Sequence, residues 1–157
     1  MLNFRIAEVR LEDEETCAAI ARVNWPKDDH VAWSVVHELA EAHGGGHWRP
    51  SYFAAWVDNK LVGFAGWNYS WVNYDVYELC WCNVLPDFQG NGIGRGLVEA
   101  RLHAIRQIGG RVVLLTTHRP EIYERYGFKS LIEFRLLAGK THLMSLELEP
   151  QDVEPCV

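Results

Sequence analysis

Glycine stands at every second position in Gln89-Gly90-Asn91-Gly92-Ile93-Gly94-Arg95, between a strand-like run and a helical one. A strand that turns on glycines into a helix leaves unpaired N–H groups and a positive dipole end, which together attract an anion. Without side chains, the glycines let a bulky phosphate reach those amides. The nucleotide-triphosphate pattern needs Gly-Lys-Ser/Thr at the end of such a loop, and no Lys stands here. The dinucleotide fingerprint Gly-x-Gly-x-x-Gly fails too, because counting from Gly90 or Gly92 puts Arg95 or Leu97 at its third glycine. What remains is Gln-x-x-Gly-x-Gly after a strand that ends in Val84-Leu85-Pro86.

Two other groupings carry metal or thiol chemistry. His37-Glu38-Leu39-Ala40-Glu41, followed by Gly44 and His47, shadows the zinc-protease pattern, with Glu41 where its second histidine belongs. A carboxylate binds zinc, so His37, Glu41 and His47 define a metalloprotein alternative. The competing reading is a solvated helix face ended by glycines. Cys80 and Cys82 lie two apart in an apolar run, where strand geometry aims both at one face. With no second pair they make a weak zinc signal, and the expectation is buried, reduced thiols.

Period and punctuation predict the elements that position these residues. Residues 4–10 alternate as a half-buried strand. Acids at 12–15 then open a helix carrying Cys17, Ile20 and Ala21, closed by Pro26. A second helix from Asp28 or Asp29 to His43 has Val31, Val35, Val36, Leu39 and Ala42 as its apolar stripe, and Gly44-Gly45-Gly46 ends it. Strands follow at 52–57, 61–69 and 77–85, then the glycine loop and a helix ended at Gly109-Gly110. A buried strand at 111–117, a short helix from Pro120 to Tyr126, and strands at 128–136 and 142–148 complete the order.

In that setting the loop resembles the coenzyme A loop of the GCN5-related N-acetyltransferase family, where a Gln or Arg leads and backbone amides cradle the pyrophosphate. Some thirty residues on, Ile122-Tyr123-Glu124-Arg125-Tyr126-Gly127-Phe128 is similar to that family's Leu-Tyr-x-x-x-Gly-Phe signature. The resemblance covers residues 77–134. It implies an α/β (α+β) fold: one mixed, mostly antiparallel sheet of about seven strands with four helices. It implies acetyl-coenzyme A as cosubstrate, no metal, and cofactor contacts from Val84, Leu85, Gln89, Gly90, Asn91, Gly92, Ile93, Gly94 and Arg95, with the Val84 N–H on the thioester oxygen. Glu78 falls where some members carry a general base, and Tyr123 where the family's general acid protonates the departing thiolate. Trp25 lies at the turn that lines the acceptor site in the family, with Asp28 and Asp29 beside it. A homodimer is also common there.

Composition narrows the class. Lys and Arg total 15 against 21 Asp and Glu, for a formal charge of −6, which disfavours broad binding to a phosphate backbone. Nothing approaches the ~18 apolar residues of a membrane span, and no basic-then-apolar leader opens the chain. The expectation is a cytoplasmic catalytic domain over 1–149 with a loose tail over 150–157, no nucleic acid or membrane partner, and a small cationic amine as acceptor. An acyl-coenzyme A binding module without turnover is the alternative.

Overall fold

A computed structural model describes residues 2–44, 49–136 and 139–149 of the chain. Seven strands lie in one sheet in the order β1-β2-β3-β4-β5-β7-β6. In chain order they are β1 (Arg5–Glu8), α1 (Glu14–Asn24), α2 (Asp29–His43), β2 (Ser51–Val57), β3 (Lys60–Tyr69), β4 (Val76–Val84), α3 (Ile93–Gln107), β5 (Val112–Thr117), α4 (Pro120–Glu124), β6 (Lys129–Leu136) and β7 (Gly139–Glu147). The expected seven strands and four helices are all present, and boundaries differ by only a few residues. Single 3-10 turns at Leu11–Asp13 and Pro86–Phe88 are additions that the periodicity does not predict. The 150–157 tail and His47 lie outside the described residues.

The chain forms two compact units, Met1–Asn68 with Cys80–His103 and Tyr69–Leu79 with Ala104–Val157. In the first, β1–β2 and β2–β3 are antiparallel. Both faces of this part of the sheet are covered. Tyr52, Ala54, Trp56 and Phe64 pack with Cys17, Ile20, Ala21, Val35 and Leu39 of α1 and α2. Ala55, Val57, Val62 and Ala65 pack with Ile93 and Leu97 of α3. Burial on two faces explains why the β2 sequence reads as a near-continuous apolar run rather than an alternation. Fully burying each Leu, Ile, Val or Phe contributes about 1.5–3 kcal/mol. Gly96 is fixed by this packing, since a Cβ there would lie 2.8 Å from Ile6 Cδ1.

In the second unit, β4 and β5 run parallel over three residue pairs, ending at Glu78↔Leu114. β5 and β6 each pair antiparallel with β7. Gly110 closes the approach to β5 where any side chain would collide with Ile105 and the Tyr77 ring. The Tyr77 ring meets that of Tyr69 at a 40° tilt with centroids 5.0 Å apart, and burial pushes the Tyr77 phenol up to about 12.

Candidate functional site

The glycine loop is built by its own side chains. Leaving β4, the chain makes the 3-10 turn at Pro86–Phe88, where proline suits the first helical position. The Gln89 side chain then folds back, its Nε2 donating to Val84 O at 2.9 Å. Asn91 Nδ2 donates to the carbonyls of Phe88 and Gln89 at 3.3 and 3.1 Å. Gly90 and Gly92 adopt φ of 76° and 86°, with Asn91 between them on the ordinary side. Such alternation turns successive N–H groups toward one side, the main-chain geometry that holds anions. The bond from Gly96 N to Gly92 O at 2.9 Å closes the first turn of the helix, whose opening amides at Ile93 and Gly94 precede the intrahelical ladder. A Cβ at Gly90, Gly92 or Gly94 would meet nothing within 4 Å, so no protein atom crowds the side-chain side of these glycines. Arg95 adds a positive charge in the first turn, paired with exposed Glu99 at 2.7 Å. Gln89 and Asn91 thus shape the loop through their side-chain amides.

The end of β4 is held by residues that carry no obvious motif. Asn83 is buried at 3% exposure, and its Oδ1 accepts from Asn24 Nδ2 at 3.0 Å and Trp25 Nε1 at 3.1 Å. Asn24 Nδ2 also reaches Val84 O at 3.2 Å. Val84 O therefore joins the end of α1 to the start of the glycine loop. Leu85 N–H donates to Val62 O at 2.8 Å and is consumed within the sheet, so it has no donor left for a ligand.

Trp81 interrupts β4 with φ of 46°, a left-handed conformation that a bulky residue adopts only at a cost of about 1–3 kcal/mol. It is held at both ends. Arg101, fully buried in α3, donates Nη1 to the carbonyls of Gly66 and Cys80, at 3.0 and 3.2 Å. The second of these belongs to the peptide just before Trp81. On the Trp81 side chain, Nε1 donates to Glu38 Oε2 at 2.7 Å. This kink corrects the expectation that Cys80 and Cys82 are equivalent buried thiols. Cys80 packs against the core of α1 and α2, whereas Cys82 is exposed.

Trp25, half-exposed, sits at the turn between α1 and α2 as expected, anchored by its indole N–H. Asp28 is the N-cap of α2, its Oδ1 accepting from the amides of His30 and Val31. Asp29 begins the helix. Of the metalloprotein pattern, His37 meets the Trp33 ring at a tilt with centroids 3.9 Å apart, and no cluster of three metal-binding side chains occurs among the described residues, which do not include His47.

In the second unit, Glu78 accepts a hydrogen bond from Ser70 Oγ at 2.6 Å. Ser70 is itself 1% exposed and accepts from Val72 N–H, which fixes the hydroxyl. Tyr123 follows Pro120 in α4. Gly127, at φ of 91°, turns the chain back so that buried Phe128 meets the Tyr123 ring edge-on at 5.9 Å. Asn24, Ser70, Asn83 and Arg101 escape sequence reasoning, and Glu38 enters it only within the zinc-protease pattern. Their one signal is polarity at positions where the periodicity expects core.

A strand, a glycine-rich turn and a helix, set in this strand order, form the frame of an acyl-coenzyme A-dependent transferase fold. The acetyltransferase (GNAT) family model matches residues 10–128, and the chain belongs to that family. An uncharacterised N-acetyltransferase of Methanocaldococcus jannaschii is 31% identical over 87 residues, covering 50% of this chain and 38% of that protein. The chain thus spans about two fifths of the length of that relative. A putative GNAT acetyltransferase from Desulfovibrio desulfuricans superposes with a TM-score of 0.82 at 21% identity, covering 92% of this chain and 99% of its own. An aminoglycoside 6'-N-acetyltransferase complexed with coenzyme A gives 0.76 at 19% identity, covering 94% and 98%.

Proposed function

We propose that the chain transfers an acetyl group from acetyl-coenzyme A directly to a primary amine. The observation that carries this reading is the turn at Gly90–Gly94, shaped by Gln89 and Asn91, where a Cβ on any of its three glycines would meet no protein atom within 4 Å. The coenzyme A bound in the similar aminoglycoside-modifying structure supports the same cosubstrate. Acetyl-coenzyme A would be held by the pyrophosphate on the amides of Gly90 to Gly94, with Arg95 in the adjoining helical turn and the Val84 N–H toward the thioester oxygen.

Acyl transfer needs a neutral amine, a polarised carbonyl and a protonated leaving thiolate. Glu78, oriented by Ser70, takes the amine proton directly or through water, and Tyr123 returns one to the sulfur. Trp25, Asp28 and Asp29 line the acceptor site. A small cationic amine suits the −6 charge of the chain, and an aromatic face such as Trp25 adds about 0.5–2 kcal/mol by cation–π contact. We further propose a cytoplasmic homodimer: β6 at the sheet edge exposes Leu131, Ile132 and Leu136. Light scattering checks the dimer.

The test is thiol release from acetyl-coenzyme A across polyamines, amino acids, aminoglycosides, aryl-alkyl amines and peptide N-termini. Release that requires both substrates is expected. Coenzyme A binding with no release for any amine would make the chain a binding module instead. Acetylation of Cys80 or Cys82 on mixing with acetyl-coenzyme A alone, seen by mass spectrometry, would overturn direct transfer.

A further inference from the structure

Glu38 stands apart from the other carboxylates of α2. It borders the apolar stripe, beside fully buried Leu39 and one turn from Val35, and is half-buried. Its Oε2 accepts from Tyr52 Oη of β2 at 2.7 Å and from Trp81 Nε1 of β4 at 2.7 Å. Both donors hold their protons across the physiological range. An indole N–H only donates, and burial beside Glu38 and Cys80 pushes the Tyr52 phenol far up from its ordinary value. The carboxylate is therefore gripped by one oxygen in a fixed orientation.

The other oxygen is idle. Among the described residues Glu38 Oε1 takes no hydrogen bond, and no Lys or Arg forms an ion pair with this carboxylate. Glu41 follows at i+3, exposed and likewise without an ion pair among the described residues, so the nearest charge on the helix repels rather than balances. Withdrawing a carboxylate from water without a cation is costly, and such groups are ordinarily paired. A carboxylate fixed by an indole and a phenol through one oxygen, with the other open, matches the chemistry of an organic ammonium ion. The strain at Trp81 belongs to the same arrangement, because the left-handed backbone there goes with the indole that grips Glu38.

We propose that Glu38 is a specificity-determining residue that binds a second, non-reacting ammonium group of the acceptor, so that the preferred substrates are diamines or larger polyamines. The assignment rests on the amine-acetylation reading. It replaces neither Glu78 nor Tyr123, since the nitrogen that reacts must be neutral while the one on Glu38 stays charged.

The test compares 1,5-diaminopentane with pentylamine, which has the same chain and one fewer charge. The wild-type protein should prefer the diamine in kcat/KM by about tenfold or more beyond its twofold statistical advantage, the scale of one charge-assisted hydrogen bond. Glu38→Gln keeps an acceptor oxygen for Tyr52 and Trp81. It should abolish the preference through the KM of the diamine, leaving the pentylamine rate and the KM for acetyl-coenzyme A unchanged. Equal wild-type use of the two amines would overturn the proposal without any variant, as would a folded Glu38→Gln protein that keeps the wild-type preference. No thiol release with any amine would instead sink the acetyltransfer reading, and the proposal with it.

Discussion

Gln89 Nε2 and Val84 O, 2.9 Å apart, tie the glycine loop back to the strand that precedes it. The same carbonyl accepts from Asn24 Nδ2, so losing one donor does not orphan it. Gln89→Ala should accordingly cost only about 0.5–1.5 kcal/mol of stability while loosening the loop and weakening acetyl-coenzyme A several-fold. Gly94→Ala separates binding from folding more sharply. Its Cβ meets no protein atom, and alanine in a helix is favoured over glycine by about 0.5–1 kcal/mol. Calorimetry should find a Tm equal to or above wild type together with coenzyme A affinity reduced about tenfold or more. Unchanged affinity would remove this loop from the cofactor site.

The loop was legible because its chemistry is local: glycines, a helix start and a preceding proline are all contiguous. So was the order of strands and helices, set by changes of period and by Gly and Pro. The supports were not legible, because each joins positions far apart in the chain. Asn24 meets Asn83, and Glu38 meets Trp81, only after the sheet has formed. Period-2 alternation also predicts one face for Cys80 and Cys82. The left-handed turn at Trp81 defeats it, since nothing in an aromatic residue announces a positive φ.

Asn83 holds Trp25 in place, and its loss should show in the acceptor site. Asn83→Ala leaves the Trp25 indole N–H and one contact of Asn24 without their acceptor, costing about 1–3 kcal/mol. Trp25→Phe keeps a ring but drops the donor. Both variants should raise the KM of the amine more than that of acetyl-coenzyme A. Equal effects on the two constants would show that Trp25 has no special relation to the acceptor.

Cys17, fully buried in α1, predicts an alkaline weakness. Burial, with Asp13 and Glu14 nearby, pushes its thiol from 9.0 up to about 12. The neutral thiol is then favoured in the fold, so this stability is complete below pH 9 and is lost as pH rises from 9 toward 12. Over that window the unfolded thiol ionises and the folded one does not, a slope of about 1.4 kcal/mol per pH unit. Cys17→Ala should be less stable at pH 7 and lose its disadvantage by about pH 10.5 in urea titrations. Parallel curves for the two proteins would refute the buried-thiol assignment. Native-state alkylation should meanwhile label exposed Cys82 and spare Cys17.

An alkyl amine with a reference pKa of about 10.4 arrives charged and unreactive near neutral pH, so a group of the protein or an ordered water must relieve it of one proton. Glu78 is half-buried, and Ser70 Oγ occupies one of its oxygens at 2.6 Å, leaving the other for water or amine. Glu78→Gln should lower turnover about 10²–10⁴-fold and raise the pH of half-maximal rate, with acetyl-coenzyme A affinity near normal. Ser70→Ala frees the carboxylate to rotate and should lower kcat by a smaller factor without changing either KM. Ser70→Thr, which restores the hydroxyl, should recover part of the rate. Tyr123→Phe keeps the edge-on contact with Phe128 and removes only the hydroxyl, so it should slow thiolate release while leaving acceptor binding intact. A leaving group that needs no proton separates the two roles: with an activated aryl thioester, Tyr123→Phe should regain most of its rate and Glu78→Gln should not. If both variants respond alike to that substrate, Tyr123 is not the acid.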